Sequence, residues 1–172
     1  PLACFNHFER PSKPGKVGQQ IFGVEVRCVD DNDNEVPRGQ RGEVVIRGTN
    51  VMKGYYKRPE ATAEAFRNGW FHTGDIGIMD DEDYLAIVDR KKDMILRGGY
   101  NIYPRELEEV IITHPLVSLC AVIGVPDERL GEEVKAFVVL KPGCEMTTGE
   151  FTEWCKAQFA ANKYPRHVEF RE

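Results

Sequence analysis

The chain has 172 residues, of which 41% are hydrophobic and 30% charged, and its formal net charge is −5. This composition is typical of a globular protein, and the length fits one domain or two small ones, which excludes a large multi-domain architecture. The basic residues are scattered along the chain, so neither nucleic acid nor an anionic membrane surface is an expected partner.

The distribution of apolar residues predicts a cytoplasmic protein. The longest apolar run, Val117–Val125, contains Ser118 and Gly124, and it is far shorter than the roughly 20 residues that span a bilayer. The first residues lack the basic start and apolar stretch of a signal peptide. We therefore expect no transmembrane segment.

The first half of the chain is predicted to be mainly β. Residues 1–19 contain prolines and glycines without periodicity, which indicates an extended connector. The runs Ile21–Val29 and Glu43–Arg47 predict a hairpin-like pair. A short helix is expected to begin at Pro59, with Asn68-Gly69 as its stop signal. Further strands are expected at three apolar segments: Trp70–His72, Ile76–Met79 and Leu85–Val88.

The second half is predicted to be α+β. In the simplest interpretation, the five charged residues 89–93 form a solvated linker. The segments on either side of Arg97-Gly98-Gly99 predict a small hairpin, because glycine permits the positive φ of a tight turn. A helix is expected to begin at Pro104 and to stop at Pro115, with a buried apolar face that extends to His114. The remaining elements are strands and a capped helix, with both helices on one face of the sheet: Val117–Val125, Val134–Leu140, a helix over about 150–160 capped at Thr147-Thr148, and Val168–Phe170.

Neither a disulfide framework nor a metal site is predicted. The five cysteines are widely spaced, odd in number and never form a CxxC pair. Cys4 and His7 have a ligand-like spacing, but no second pair completes a zinc set. The acidic turn 31–35 resembles the start of a calcium loop but has Val36 where that loop requires glycine. No Ser or Cys nucleophile has a His and an acid at suggestive spacing, so acyl-enzyme chemistry is not supported.

Three groups of residues are candidates for ligand binding. In His72-Thr73-Gly74-Asp75 the carboxylate can accept two hydrogen bonds from a vicinal diol such as a ribose, although an Asx-type turn is the commoner explanation of such a motif. Arg90 could join the same sugar or a phosphate, or simply be solvated. Arg97-Gly98-Gly99 could admit a ligand to its backbone, with Arg97 offering charge to a phosphate, or be a plain turn. His114 is expected to pack rather than to catalyse.

Five segments stand in order along the chain: GEVVIRGTNVMKGYYKRPEATAEAF, NGWFHTGDIG, VDRKKDMILRGGYNIYPRELEEVI, VIGVPDERLGEEVKAFVV and NKYPRHVEF. Together they resemble the C-terminal third of the adenylate-forming superfamily, whose members are acyl-CoA synthetases, luciferases and the adenylation domains of peptide synthetases. The match covers essentially the whole chain and is strongest for fatty-acyl and aromatic acyl-CoA ligases.

The resemblance implies an α+β fold in two parts. A β-rich, distorted barrel-like subdomain over residues 1–89 would belong to the end of a large N-terminal domain. A hinge over residues 90–93 would connect it to a mobile and truncated C-terminal domain over residues 94–172. That domain would contain a hairpin, a three-stranded sheet and two or more helices.

The resemblance also implies a two-step reaction. A carboxylate attacks the α-phosphate of ATP, bound with Mg²⁺, to give an acyl-adenylate and pyrophosphate. The thiol of CoA then displaces AMP, and the C-terminal domain rotates between the two steps. The implied substrates are ATP, CoA and a small carboxylic acid, with a fatty acid as the family-level expectation.

Residue roles are implied by position in these motifs. Asp75 of HTGD would bind the ribose hydroxyls, and Arg90 of DRKKD would support the same sugar. Lys92 corresponds to the hinge position whose backbone torsions change during the rotation. The loop that lines the pantetheine and phosphate path of CoA corresponds to four residues: Arg97, Gly98, Gly99 and Tyr100.

The parts of the family that carry most of the chemistry are expected elsewhere. Its phosphate loop, YGxTE motif and acyl pocket would lie upstream of Pro1, and its PKTxxGK motif would lie beyond Glu172. The largest electrostatic contribution to adenylation is then missing, so the isolated chain is expected to contain no catalytic residue and to be inactive. The missing N-terminal part is an expected partner that covers apolar patches on the first ~90 residues. Peripheral membrane association of the full-length enzyme is left open.

Two alternatives remain. One is a stand-alone AMP- or CoA-binding module without catalysis. The other is an adenylating enzyme that passes its acyl group to a carrier protein, against which the CoA-like loop at Arg97–Tyr100 argues mildly.

Overall fold

The structure, a computed structural model, describes residues 2–8 and 12–171. The chain forms two compact units, of which the first ends at Lys91 and the second begins at Lys92. The predicted hinge over residues 90–93 brackets this boundary, and a rotation there stays a prediction. The expectations for residues 1, 9–11 and 172 lie outside the described residues.

The first unit is built around a curled, antiparallel five-stranded sheet. Its elements in chain order are β1 (Cys4–Phe5), β2 (Gln19–Gln20), β3 (Val24–Val29), β4 (Arg41–Gly48), α1 (Pro59–Ala65), β5 (Phe66–Arg67), β6 (Trp70–Met79) and β7 (Leu85–Arg90). The strand order is β3-β4-β6-β5, and β7 also pairs with β6. Because β6 contacts three other strands, it is the element around which this unit is organised.

The expected hairpin-like pair is confirmed by the pairing of β3 with β4. The register runs from Val24 opposite Gly48 to Val29 opposite Glu43. Alternate residues of β3 face inward, as the two-residue period of a strand requires. They form an apolar core with residues of β4, β6 and β7: Val24, Val26, Cys28, Val44, Ile46, Met79 and Leu85.

Two expectations near the N-terminus need correction. Residues 1–19 are not only an extended connector, because β1 pairs with β2 and Cys4 lies opposite Gln20. A two-residue strand carries no periodicity and forms only because tertiary structure supplies its partner. In addition, β3 begins at Val24 rather than Ile21, because Phe22-Gly23 form a turn in which Gly23 has a φ of 77°.

The segment after α1 also differs from expectation. The helix ends at Ala65, and Asn68-Gly69 form the two-residue turn between β5 and β6 instead of a helix stop. Their φ values of 52° and 78° are those that a type I′ hairpin turn requires. The two strands expected at 70–72 and 76–79 are one continuous strand, because β6 passes through Gly74 without ending.

The second unit confirms the predicted α+β class. Its elements are β8 (Ile95–Arg97), β9 (Tyr100–Ile102), α2 (Pro104–Ile111), β10 (Val117–Asp127), β11 (Gly131–Leu140), α3 (Thr148–Gln158) and β12 (His167–Arg171). The central strand β11 pairs antiparallel with β10 and parallel with β12. The β8–β9 hairpin joins the same sheet through one pair, Arg97 opposite Gly131.

The two helices of this unit begin as their sequences predict. Pro104 occupies the first turn of α2, where the missing N–H of proline costs no hydrogen bond. Thr147 and Glu150 form a capping box at the start of α3, in which each side chain accepts from the other residue's backbone N–H. However, α2 ends at Ile111, so the predicted helical face stops before His114.

Both helices pack on one face of the sheet. Leu107 and Ile111 of α2 and Phe151 of α3 share one buried cluster with alternate residues of β11, namely Val134, Ala136 and Val138. The helices of the described residues have 7, 8 and 11 residues, and none of them is long and apolar enough to cross a membrane.

Gly77 of β6 tests the packing of the first unit. A Cβ atom at this position would lie 2.6 Å from Val44 Cγ2 and 2.9 Å from Leu85 Cδ1. We expect Gly77→Ala to lower the free energy of unfolding of the first unit by about 1–3 kcal/mol, because the packed core leaves no room for a methyl group. The chain has two tryptophans, Trp70 in the first unit and Trp154 in the second. Urea unfolding followed by fluorescence in Trp154→Phe and Trp70→Phe backgrounds therefore reports each unit separately.

The second unit is the internal control for this experiment. The midpoint read from Trp154 should be the same with and without the Gly77→Ala substitution, since the substitution lies in the other unit. An unchanged midpoint of the Trp70 signal would contradict the packing that we describe.

Candidate functional site

The motif His72-Thr73-Gly74-Asp75 lies at an irregularity in β6. Val45 pairs with His72 and Glu43 pairs with Ile76, so β6 advances four residues where β4 advances two. Gly74 supplies the left-handed backbone, with a φ of 74° and open space where a Cβ would project. A bulge of this kind turns side chains away from the regular ladder.

The bulge places Asp75 beside Arg90. The two residues pair in register between β6 and β7. Arg90 Nε lies 3.7 Å from Asp75 Oδ1, and the side chains are 62% and 37% exposed. The Asp75 N–H donates to Thr73 Oγ1 at 3.1 Å, and that hydroxyl donates to the Val44 carbonyl at 2.8 Å. The structure thus brings the two predicted nucleotide-binding residues together and leaves both accessible.

This arrangement suits a sugar with two adjacent hydroxyls. An ionised carboxylate has acceptor sites on both oxygens and can receive one hydrogen bond from each hydroxyl of a diol. The neighbouring guanidinium stays charged and has further donors for a ring oxygen or a phosphate. An exposed ion pair contributes only about 0–1 kcal/mol to stability, so the fold itself has little need of the Asp75–Arg90 pair.

A set of ionisable residues around the buried Glu43 carboxylate, which we call the Glu43 cluster, adjoins this pair. Its members are Asp33, Glu43, Arg67, His72 and Lys91. The Glu43 and His72 side chains are 6% and 4% exposed, and His72 Nδ1 lies 3.3 Å from Glu43 Oε2. Lys91 Nζ donates to the same carboxylate oxygen at 3.0 Å. Arg67 Nη2 lies 2.8 Å from His72 Nδ1, and Asp33 Oδ1 lies 3.7 Å from His72 Nε2.

Glu43 and Lys91 of the Glu43 cluster each stabilise the charged form of the other. Burial opposes ionisation of Glu43, but the hydrogen bond from Lys91 and the close contact with His72 prevail and hold the pKa of Glu43 below its ordinary value of 4.5. Burial likewise opposes the charge on Lys91, yet Asp31 and Glu43 raise its pKa. Glu43 and Lys91 therefore form a charged pair at neutral pH.

The sequence interpretation missed the Glu43 cluster. Both faces of β4 are buried around Glu43, so no period of two marks this residue as unusual. The only local signal is a charged residue placed directly before the apolar run Val44–Ile46. Its partner Lys91 is 48 positions away in the chain, which no local pattern can indicate.

Lys92, the predicted hinge residue, directly follows an anchored residue. Lys91–Asp93 form a short 3-10 helix at the boundary of the two units. Lys91 is fixed by Glu43 and by Asp31, whose Oδ1 is 2.9 Å away, whereas Lys92 is exposed. A change in backbone torsion at Lys92 would leave the Glu43 cluster intact, and the hinge role stays a prediction.

The predicted glycine turn lies in the second unit. Gly98 and Gly99 have φ values of 56° and 83° and connect β8 to β9 as a type I′ turn. Nothing lies within 4 Å of the position that a Cβ would take at Gly99. Tyr100 is 60% exposed. The backbone of this turn is therefore open to an approaching ligand.

Arg97 differs from the other members of the loop because its guanidinium faces the protein. It forms a bidentate pair with Glu133, in which Nη2 donates to Oε2 at 2.9 Å and Nε donates to Oε1. Nη1 donates to the Asn162 carbonyl at 3.3 Å. The side chains of Arg97 and Glu133 are 12% and 7% exposed.

The histidine and the cysteines considered in the sequence analysis have packing roles or are free thiols. The His114 ring packs edge-on against Trp154 with centroids 4.8 Å apart, and His114 Nδ1 accepts from the Leu116 N–H. Burial lowers the pKa of His114, which favours the neutral ring. The five cysteines are free thiols, and burial raises the pKa of Cys155 to about 12. Among residues 2–8 and 12–171, no group of three His, Cys, Asp or Glu side chains could hold a metal ion.

Known proteins match this chain from end to end. Residues 106–172 match the family model of the AMP-binding enzyme C-terminal domain, and residues 1–56 match that of the AMP-binding enzyme. The chain is 47% identical over 172 residues to a long-chain-fatty-acid–CoA ligase of Escherichia coli O6:H1, of which it spans 30%. It is 48% identical over 160 residues, 93% of its length, to a feruloyl-CoA synthase of an Amycolatopsis species, of which it spans 33%.

Solved structures share the fold. The crystal structure of ATP-bound MatB from Rhodopseudomonas palustris superposes with a TM-score of 0.92 and 38% identity, over 98% of this chain and 34% of that one. The o-succinylbenzoate CoA synthetase MenE of Bacillus subtilis, in complex with the acyl-adenylate intermediate OSB-AMP, has a TM-score of 0.81 and 36% identity. That match covers 92% of this chain and 32% of the synthetase.

The Glu43 cluster gives a stability prediction. We expect Glu43→Gln to lower the free energy of unfolding of the first unit by about 1–3 kcal/mol, because it removes the buried charge that Lys91 and His72 contact. The measurement is urea unfolding followed by Trp70 fluorescence in the Trp154→Phe background. Asp31→Asn is the matched control, since Asp31 contacts the same lysine but is 84% exposed and should change stability by less than about 0.5 kcal/mol.

The same variant predicts a pH dependence. Unfolded Glu43, with its ordinary pKa of 4.5, takes up a proton at a higher pH than folded Glu43, whose pKa is lower. Protons therefore favour the unfolded state. The stability difference between the native chain and Glu43→Gln should be complete above pH 4.5 and shrink as the pH falls further. A difference that stays constant into the acid range would show that Glu43 is not held as the carboxylate.

Proposed function

The chain belongs, as a C-terminal part, to the adenylate-forming superfamily of AMP-binding enzymes, and on this premise we propose that it serves an ATP-dependent acyl-CoA synthetase acting on fatty acids. In the first step a carboxylate oxygen of the acid bonds to the α-phosphorus of Mg²⁺-bound ATP, and pyrophosphate leaves. In the second step the sulfur of CoA bonds to the acyl carbon, AMP leaves, and the thiol proton passes to solvent.

The observation that carries the proposal is the Asp75–Arg90 pair. Both side chains are exposed, both are held at their backbones by paired strands, and together they suit a ribose beside a phosphate. In the proposed reaction, Asp75 accepts hydrogen bonds from the 2′- and 3′-hydroxyls of ATP and of the acyl-adenylate. Arg90 pairs with that carboxylate and donates to the same sugar. Neither group exchanges a proton with the substrate, so their contribution is orientation.

For the second step we propose roles for Lys92 and for the loop Arg97–Tyr100. Lys92 is the proposed pivot, because it is exposed and follows the anchored Lys91. The loop Arg97–Tyr100 is proposed to line the path of CoA. The open backbone of Gly99 and the exposed ring of Tyr100 support this assignment, since a narrow pantetheine arm needs close approach to the chain.

The acyl class is proposed from the relatives. Long-chain-fatty-acid–CoA ligases match all 172 residues, and a feruloyl-CoA synthase matches 160. We expect the full-length protein to release pyrophosphate with fatty acids such as dodecanoate and palmitate more efficiently than with ferulate, and to form the thioester with CoA. A preference for ferulate would overturn the fatty-acid proposal. Transfer to a phosphopantetheinyl carrier protein in preference to CoA would overturn the choice of acceptor.

The isolated 172 residues should be assayed beside the full-length protein. The chain spans 30% of the long-chain-fatty-acid–CoA ligase that it matches, so we expect no carboxylate-dependent release of pyrophosphate from the isolated chain. A release that persists in the purified chain and is abolished by Asp75→Ala would contradict this expectation and exclude a contaminating enzyme.

Asp75 gives the sharpest test of the nucleotide site. We expect Asp75→Ala in the full-length protein to lower kcat/KM for ATP by about 10- to 100-fold, because two hydrogen bonds to a charged group are lost. The measurement is fatty-acid-dependent pyrophosphate release with ATP and with 2′-deoxy-ATP. The native protein should discriminate between these nucleotides, and the variant should have lost most of this discrimination.

Asp81→Ala is the matched control. Asp81 is an exposed acid in the turn between β6 and β7. Its loss should therefore leave kcat/KM unchanged for both ATP and 2′-deoxy-ATP. If Asp75→Ala lowered activity with ATP and 2′-deoxy-ATP by the same factor, Asp75 would not be the ribose ligand.

A further inference from the structure

The loop that we propose to line the CoA path has an open end and an anchored base. Gly99 and Tyr100 are exposed at the open end. Arg97, directly before the glycines, is enclosed and directs its guanidinium at Glu133 and at the Asn162 carbonyl. A guanidinium that already makes three hydrogen bonds to the protein is poorly placed to bind a phosphate as well.

Four contacts attach the base of the turn to Leu130 and to the first residues of β11. The Leu96 N–H donates to Glu132 Oε2 at 2.6 Å, and the Gly98 N–H donates to the Leu130 carbonyl at 2.8 Å. Between them, Arg97 pairs with Gly131 across the strands and binds Glu133 with its side chain. The Arg97–Glu133 contact is made between two side chains, and both of these side chains are buried or nearly so.

The carboxylate of Glu133 is itself held in place. It accepts from the Val134 N–H at 2.9 Å and lies in the central strand of the sheet. Burial opposes its ionisation, but the hydrogen bonds from Arg97 and Val134 keep its pKa below the ordinary value. The pair therefore joins a rigid strand to a turn whose two glycines have no side chains to restrain them.

We propose that Arg97 and Glu133 are positioning residues for the second step, which hold the Gly98–Gly99 turn in place for the acceptor thiol, and that Arg97 is not a ligand of the CoA phosphates. This inference deepens the proposed function and rests on it. A turn of two glycines samples many conformations when free. Fixing its base makes the conformation that admits pantetheine the one that is populated before the acceptor arrives.

The proposal predicts the same effect from either member of the pair. In the full-length protein, Arg97→Lys and Glu133→Gln should each slow thioester formation from preformed acyl-adenylate by about 10- to 100-fold, as displacement of a positioned group does. The double variant should be little worse than either single variant, because the two residues act as one unit. Pyrophosphate release in the absence of CoA should stay unchanged.

Pantetheine separates positioning from phosphate binding. It carries the thiol of CoA but none of its phosphates. If Arg97 positions the turn, both acceptors lose the same factor in kcat. If Arg97 binds a phosphate instead, Arg97→Lys raises KM for CoA alone, pantetheine is unaffected, and Glu133→Gln does not reproduce the defect. That second pattern overturns the proposal.

Two further readouts keep the test interpretable. Hydrogen exchange of segment 96–100 should accelerate in Glu133→Gln, since release of the Arg97 side chain loosens the turn in which the Gly98 N–H donates to the Leu130 carbonyl. An unchanged exchange rate counts against positioning. Arg105→Lys is the matched control. Arg105 pairs with Glu109 on the exposed side of α2, so its substitution should alter neither step.

The outcomes distinguish the two proposals. If the native protein forms no acyl-adenylate or thioester at all, the proposed function fails. If the native enzyme is active and the Arg97 and Glu133 variants behave normally, only the positioning role is refuted.

Discussion

The burial of the Glu43 carboxylate is the constraint on which the candidate nucleotide site depends. An ionised group inside a protein is stable only with close partners, and those of Glu43 are His72 and Lys91. His72 begins the motif that ends at Asp75, and Lys91 follows Arg90. His72 lies in β6 and Lys91 directly follows β7. Their contacts with Glu43 therefore help to align the two strands that carry Asp75 and Arg90. Asp75 and Arg90 can therefore remain free for a ligand, because the fold is secured by their neighbours.

The second unit repeats this arrangement with different residues. The Glu133 carboxylate, buried in β11, binds Arg97 at the base of a turn whose tip is exposed. In both units, a buried carboxylate binds a basic residue that directly precedes or follows residues open to solvent. If the proposed sites bind their ligands, a substitution in either pair would weaken binding without removing a contact to the ligand. Kinetic defects at such positions are thus better understood as changes in geometry than as lost contacts.

Local rules predicted the elements that depend only on neighbours in the chain. The hairpin at Gly98-Gly99 follows from two residues that tolerate positive φ, and the start of α2 follows from Pro104 before an amphipathic segment. Asp75 and Arg90 were identified from motifs, and the register of β6 and β7 places them side by side. Local patterns could not predict the pairing of β1 with β2 or the continuity of β6 through its bulge. They also could not predict the environment of Arg97, because Glu133 lies 36 positions away and only the folded sheet joins them.

The parallel pairing of β12 with β11 makes the second unit dependent on the order of synthesis. Residues 135–139 of β11 pair with residues 167–171, so this edge stays unpaired until the later segment has left the ribosome. The five-stranded sheet of the first unit, in contrast, is complete at Arg90. This unpaired edge of β11 includes Phe137, Val138 and Val139. An unpaired apolar edge is a template for pairing with other chains. A nascent chain stalled between α3 and β12 would therefore expose an aggregation-prone strand.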